Sequence, residues 1–262
     1  MSAATILAGA YALTAGTVAV LAIWAASSIG PMVGNAAAAV VAAWAIVTAV
    51  VVVWSRRRLD AMRQAAERVA SGEFGVTVPV AADFLGGIER AFNAVSLTLH
   101  DMHEAATTDR LTHVANRATV LSRLFGEVER ASRHDRYLSV AFVDLDHFKL
   151  INDTHGHHVG DAVLQGVAAI LREHLRSTDA IGRYGGEEFM IVLPETGPED
   201  ASHVAEKLRE LVQRGRFGGG ELPELRVTIS IGIAGGHGAA LRAERILRDA
   251  DAAMYSAKQL GR

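Results

Sequence analysis

The sequence predicts an α/β (α+β) domain preceded by two transmembrane helices and a helical linker, and three observations carry that prediction. None of the first 54 residues is Asp, Glu, Lys, Arg or His, so all 26 basic and 29 acidic residues lie beyond Trp54. Apolar residues then recur at alternating spacings of three and four as far as Met102, the mark of helices that pack along a seam. From Leu138 onward, short apolar strand runs alternate with amphipathic helical stretches, the order of an α/β domain.

As one helix, the uncharged segment would be roughly 81 Å long at about 1.5 Å per residue, against roughly 30 Å of bilayer hydrocarbon. One pass is excluded and two fit. Gly30-Pro31-Met32-Val33-Gly34-Asn35 punctuates the run and places spans near 5–28 and 34–54, a hairpin covering residues 1–54. A cleaved signal peptide competes for the first run, but the basic n-region of such signals is missing. Arg56, Arg57 and Arg58 follow directly, and the positive-inside tendency puts the next domain in the cytoplasm. Two passes return the N-terminus there too. No external ligand-binding domain is left, so a stimulus would be sensed in the bilayer, at the linker or through an unidentified sensory partner.

Past the arginines, Leu59, Met62, Ala66 and Val69 form one apolar seam, and Leu85, Ile88, Phe92, Val95, Leu99 and Met102 form another. Between them Ser71-Gly72-Glu73 ends the first helix, and Val76-Thr77-Val78-Pro79-Val80 is extended, because proline disfavours helix in itself and its predecessor. With Asp83-Phe84-Leu85-Gly86 before the second helix, residues 55–106 resemble a HAMP linker. Seams on both helices favour a parallel four-helix bundle in a homodimer. The charge of the whole chain is only -3, which argues against a nucleic-acid partner, and the absence of cysteine removes disulfides, thiol nucleophiles and Cys-ligated zinc.

The chemistry-bearing residues begin where Leu138-Ser139-Val140-Ala141-Phe142-Val143 runs into Asp144-Leu145-Asp146. Carboxylates at i and i+2 of a strand point to one face, and a strand end bearing them suits Mg²⁺, which takes one or two protein carboxylates and fills its other positions with water and phosphate. Phe148-Lys149-Leu150-Ile151-Asn152-Asp153 and Gly156-His157-His158-Val159-Gly160-Asp161 follow, then a helix with an apolar stripe through Leu164, Val167, Ile170, Leu171 and Leu175. Two more strands, Ala180–Tyr184 and Phe189–Leu193, are joined by Gly185-Gly186-Glu187-Glu188. Glycines in a tight hairpin permit positive φ and close backbone approach to a ligand, and two glutamates put acid at its tip. Gly218-Gly219-Gly220 reads as a flexible loop before the strand Val227–Ile231. No Gly-Lys-Ser/Thr is present to make a P-loop.

The order of these motifs resembles the GGDEF family of diguanylate cyclases, in its GGEEF variant, over about residues 107–262. Asp109-Arg110-Leu111-Thr112 with Asn116-Arg117 is similar to the family's opening motif, Asp144–Lys149 to its metal and phosphate strand, Asn152-Asp153 with Gly160-Asp161 to its guanine-reading stretch, Arg183–Phe189 to the naming motif, and Ala257-Lys258 with Gly261-Arg262 to the closing one. The resemblance implies a fold similar to the palm of nucleotidyl cyclases, placed at the bacterial inner membrane, that condenses two GTP into cyclic di-GMP at a dimer interface. It implies Mg²⁺ (or Mn²⁺) held by Asp144, Glu187 and the Leu145 carbonyl. Asn152 and Asp161 would read guanine, while Lys149, Lys258 and Arg262 would contact the triphosphate beside His157, Gly185 and Gly186. Glu188 is a candidate to help activate the attacking hydroxyl, and Asp146 to organise the strand end.

Arg176-Ser177-Thr178-Asp179 stands five residues before Gly185, the family's spacing for an inhibitory product site. Arg can pair with phosphate bidentately and Asp can accept from guanine, so Arg176 and Asp179 suit cyclic di-GMP. Two features depart from the family: His113-Val114 replaces the usual Gly-Leu, and Arg262 ends the sequence, with a carboxylate beside the guanidinium. A catalytically weak domain acting as a receptor for cyclic di-GMP or GTP is the alternative function, and a related cyclase with another base preference is a third. The clustered His147, His155, His157 and His158 raise a transition-metal site as a further, weaker reading.

Overall fold

The computed structural model describes residues 16–20, 23–24, 31–83, 85–219 and 222–260. The chain divides into two compact units, Met1–His100 and Asp101–Arg262. In the first, α1 runs unbroken from Pro31 to Ala70. Its segment from Asn35 is the one described helix long and apolar enough to cross a membrane. The expected first span, 5–28, falls largely outside the described residues. The expected connector is corrected: Pro31 to Asn35 are helical, because proline has its φ preset for a first turn and lacks an N–H that the turn would leave unpaired.

α1 ends at Ser71-Gly72, with Gly72 at φ +95°, and an extended stretch leads to α2 (Gly86–Thr107). That stretch is held by groups the periodicity does not reveal. Asn93 pairs with both backbone polar groups of Val78, accepting from its N–H at 2.8 Å and donating to its carbonyl at 2.9 Å. Asp83 caps α2 by accepting from the N–H groups of Leu85 and Gly86. Arg58 stacks on Trp54, 4.5 Å from its ring centre, and reaches both Asp83 and the buried Glu89. The hydrogen bond from Arg58 is the main cause that holds the Glu89 carboxyl below its ordinary range. Leu59, Ile88, Val95, Leu99 and Met102 of the expected seam are exposed in the single chain.

The second unit is built on α3 (Arg117–His134), β1 (Tyr137–Leu145), α4 (Phe148–His155), α5 (His157–Glu173), β2 (Ala180–Arg183), β3 (Glu188–Pro194) and α6 (Pro198–Arg214). It continues with β4 (Phe217–Gly219), β5 (Leu222–Leu225), β6 (Ile229–His237) and α7 (Ala243–Gln259). The sheet order is β2-β3-β1-β6, with β1 antiparallel to both neighbours. Alternation along β1 divides the core. Ala141, Val143 and Leu145 pack with Val163, Leu164, Val167 and Leu171 of α5 and Leu208 and Val212 of α6. Leu138, Val140 and Phe142 meet Val120 and Leu124 of α3 and Ile246, Ala250 and Met254 of α7. Each fully buried aliphatic side chain contributes about 1.5–3 kcal/mol. Asp144 continues the second parity, so β1 aims its carboxylate toward the α7 layer. The triple-glycine segment is not only a loop: its flanks pair as the β4-β5 hairpin, with Phe217 buried in the core.

The opening turn explains the first family departure. Asp109 accepts from the N–H and hydroxyl of Thr112, the His113 N–H donates to the Asp109 carbonyl, and Val114 is buried where leucine is usual. His113 sits at φ +55°, the left-handed region that glycine occupies without strain. That conformation costs a non-glycine residue about 1–2 kcal/mol, against about 0.5–1 kcal/mol of unfolded-chain entropy that glycine adds. His113→Gly is therefore expected to stabilise the domain by about 0.5–1 kcal/mol, read as a higher denaturant midpoint at unchanged slope. Asn116 joins two helices at this turn: its side chain donates to the Ala106 carbonyl at the end of α2 and accepts from Thr119 N–H at the start of α3.

Candidate active site

Asp144 stands next to last on β1, opposite Glu188 on β3 and Ser230 on β6. Its side chain is 5% exposed; Oδ2 meets Lys258 Nζ of α7 at 2.6 Å, while Oδ1 is buried without a hydrogen-bond partner. Burial pushes the Asp144 carboxyl above its ordinary range, Lys258 pulls against that rise, and Asp146 adds to it. Glu187 is also raised, by burial first and then by the charge of Asp144, with Lys258 opposing and Glu188 adding. Asp144, Glu187, Glu188 and Lys258 thus form one electrostatic group in which acid outnumbers base.

Asp146 has a different job from Asp144. β1 ends at Leu145, and the Asp146 carboxylate accepts from the hydroxyls of Ser230 and Thr228, each at 2.7 Å, while its N–H donates to the Thr228 carbonyl. The i, i+2 spacing alone predicts two carboxylates sharing one task; the hydroxyls of Thr228 and Ser230, at the start of β6, engage the second.

The Gly-Gly-Glu-Glu hairpin corrects one expectation. Neither Gly185 nor Gly186 is at positive φ. The loop from Tyr184 to Glu187 has four residues, closed by the N–H groups of Tyr184 and Gly185 donating to the Glu188 carbonyl, and loops of this length are built mostly on type I turns with negative φ. A Cβ at 185 would lie 2.4 Å from Glu188 Oε2, the movable end of that side chain, and one at 186 would meet nothing within 4 Å. The hairpin is braced from two sides. Arg183 donates twice to the Gly186 carbonyl, at 3.1 and 2.7 Å, and forms an ion pair with Asp109 of the opening turn at 3.2 Å. Arg117 lies over the Tyr184 ring, 4.4 Å from its centre, and the ring packs edge-on against Phe142. Sequence reading placed Asp109, Arg117 and Arg183 in motifs without assigning them this role.

Helices α4 and α5, which carry Asn152 and Asp161, approach closely at Gly160, whose absent side chain makes room for the Asn152 carboxamide; a Cβ would lie 1.9 Å from Asn152 Oδ1. The helices meet at Gly156, φ +86°, whose N–H donates to the Asn152 carbonyl. Lys149 and His157 are exposed on these helices, and Arg262 lies outside the described residues. Arg176 and Asp179 sit before β2, at its far end from the hairpin. The Arg176 N–H donates to Asp179 Oδ2 at 2.9 Å, and Arg176 lines a cavity of about 360 Å³ with Arg123, Arg130 and Arg136.

Among the described residues no group of three or more His, Asp or Glu forms a ready-made metal cage, and the four histidines do not gather into one. The set at Asp144 instead fits Mg²⁺, which needs only one or two protein carboxylates when phosphate supplies other ligands. The orphaned Oδ1 is the acceptor such an ion would use.

A family profile described as diguanylate cyclase, GGDEF domain, matches residues 106–262. The chain is 40% identical over 178 residues to the diguanylate cyclase DgcP of Pseudomonas aeruginosa, covering 68% of this chain and 26% of that protein. It is 41% identical over 162 residues to the response regulator PleD of Caulobacter vibrioides, covering 61% and 35%. The chain therefore spans about a quarter to a third of the length of these relatives. Among solved structures, the GGDEF domain of DgcB from Caulobacter crescentus, in complex with c-di-GMP, superposes with TM-score 0.57 at 32% identity, covering 60% of this chain and 90% of that one. The diguanylate cyclase SiaD of Pseudomonas aeruginosa, in complex with its activator SiaC, gives TM-score 0.57 at 28% identity over 97% of both chains. With the carboxylate strand, the braced glycine hairpin and the sheet order all accounted for, the chain belongs to the GGDEF diguanylate cyclase family, with the family's domain at residues 106–262.

Proposed function

We propose that this chain is a membrane-anchored diguanylate cyclase that condenses two GTP into cyclic di-GMP. In each of two steps the 3′-hydroxyl of one nucleotide attacks the α-phosphorus of the other, a P–O bond forms, and the bond to pyrophosphate breaks. The observation that carries the reading is the buried Asp144 with its unpartnered oxygen beside Glu187 and Glu188, in a domain of this family. Mg²⁺ (or Mn²⁺), held by Asp144, Glu187 and the Leu145 carbonyl, would neutralise the α-phosphate and activate the hydroxyl. Glu188 helps take the hydroxyl proton. Asn152 and Asp161 accept from and orient guanine, Lys149, Lys258 and Arg262 hold the triphosphate, and Gly185 and Gly186 let it approach the hairpin near His157.

The domain division follows: a two-pass hairpin over 1–54, a HAMP-like linker over 55–106 and the cyclase over 107–262, on the cytoplasmic side of a bacterial inner membrane. A homodimer supplies the second GTP site, and the outward-facing Ile88, Val95, Leu99 and Met102 support a helical seam between copies. Arg176 and Asp179 form the inhibitory product site, supported by the cavity that Arg176 lines with Arg136 and with Arg123 and Arg130, the latter two paired to Glu127. Arg176→Ala is expected to raise the cyclic di-GMP level at which synthesis stops by on the order of ten-fold, since one charge-assisted phosphate contact contributes about 1.5–3 kcal/mol; initial rates with added product check this.

The test is product analysis of the full-length protein in detergent with GTP and Mg²⁺, resolving cyclic di-GMP from linear dinucleotide and GMP, beside Glu187→Ala and Glu188→Ala. Cyclic di-GMP that disappears in the variants supports the cyclase. A dimer that binds cyclic di-GMP and makes none is a receptor instead.

A further inference from the structure

We propose that Lys258 is a resident counter-cation that holds the metal position at Asp144 shut until a triphosphate draws the ammonium away, so that metal and nucleotide bind as a linked pair. The inference rests on the cyclase reading of this site and concerns what Lys258 does before substrate arrives.

Lys258 Nζ lies 2.6 Å from Asp144 Oδ2, with side chains 29% and 5% exposed. The pair joins the end of β1 to the last turn of α7, and α7 is docked there with little slack. At Gly232 of β6 an added Cβ would lie 2.0 Å from Met254 N and 2.3 Å from the Ala250 carbonyl oxygen. The ammonium is therefore kept at Asp144 by the fold rather than by a free surface encounter. It satisfies one carboxylate oxygen and leaves the other, Oδ1, buried without a partner. A divalent ion drawn to Oδ1 would stand a few ångströms from the ammonium, where like charges repel strongly in a half-buried site. Lysine is suited to give way: its charge is a compact point on a flexible four-carbon stem, with donors that follow any strong acceptor. A triphosphate offers a polyanionic partner within reach of the same stem, and brings the ion with it. Lys258 is then a positioning residue in the free enzyme as well as a phosphate contact in the loaded one.

The experiment uses full-length protein in detergent, Mn²⁺ as the probe, and the electron paramagnetic resonance signal of free Mn²⁺ as the readout, with no turnover. Wild type should bind Mn²⁺ weakly alone and on the order of ten-fold or more tightly with α,β-methylene GTP, an analogue whose α-phosphorus cannot lose its leaving group. Lys258→Met should bind Mn²⁺ alone on the order of ten-fold more tightly than wild type, with a smaller gain from the analogue. Lys258→Arg, which keeps the charge, should retain weak binding and shows that loss of the cation, rather than of the side chain, is responsible. If the analogue brings Mn²⁺ onto wild type but Lys258→Met binds Mn²⁺ alone no more tightly, the counter-cation role is overturned and the cyclase reading stands. If neither protein binds Mn²⁺ even with the analogue, the metal assignment at Asp144 fails as well.

Discussion

Asp144→Asn is expected to lower cyclic di-GMP formation by on the order of a thousand-fold, equivalent to about 4 kcal/mol of transition-state stabilisation, while leaving the domain folded. The substitution is isosteric, so β1 keeps its packing between the two core layers. It removes the negative charge that both Lys258 and a divalent ion would share, and it converts one oxygen of a buried carboxylate into a donor. Asp146→Asn separates site chemistry from strand-end structure. There the carboxylate accepts from two hydroxyls, so the amide must turn a donor toward Thr228 or Ser230. That hydroxyl must then accept instead of donate, and the exchange of charge-assisted for neutral hydrogen bonds costs about 1–2 kcal/mol of stability. Product formation and chemical denaturation measured on both variants give opposite patterns: Asp144→Asn inactive and stable, Asp146→Asn less stable with residual activity. An Asp144→Asn protein that keeps more than about a tenth of wild-type turnover would remove Asp144 from the metal set.

Gly232→Ala is expected to destabilise the second unit by about 3 kcal/mol and to lower activity through α7. A methyl group at this position collides with the backbone of α7 at Ala250 and Met254, and backbone cannot rotate aside as a side chain can. Overpacking a close-packed core costs about 1–3 kcal/mol, and a helix pushed from its sheet also loses the burial of Ile246 and Met254. Lys258 lies one turn beyond Met254, so the displacement carries the ammonium away from Asp144. Gly186→Ala is the control for stability, because a Cβ there meets nothing within 4 Å. Thermal or urea unfolding of the two variants checks the contrast. Equal stabilities would mean that the contact at Gly232 does not set the position of α7.

Much of the second unit is legible in the sequence because each of its main elements carries its own period. The apolar run of β1, the stripe of α5 and the β2-Gly-Gly-Glu-Glu-β3 order all appear where expected. The β4-β5 hairpin escapes notice, since Phe-Gly-Gly and Leu-Pro-Glu-Leu are too short to show alternation, lack β-branched residues, and carry the glycine or proline that usually marks a loop. The hairpin glycines are recognised for a reason, positive φ, that the backbone does not use. Gly30-Pro31 reads as a break in a helix, whereas proline at a first turn begins one.

The sequence by itself determined the segregation of charge at Trp54, the order of β1, α5, β2 and β3 beyond Leu138, and which carboxylates, amides and cations are candidates for the site. Those properties are local: they reside in residue type and spacing, and solvent sorts them without reference to distant parts of the chain. Only the tertiary structure decided that Asp144 faces Lys258 across more than a hundred residues, that Arg183 ties the hairpin to Asp109, that Asn93 stitches the extended stretch to α2, and that Asp146 belongs to the hydroxyls of Thr228 and Ser230. Each of these depends on a partner far along the chain, and a polar side chain finds that partner only when packing of the apolar faces has fixed which surfaces meet.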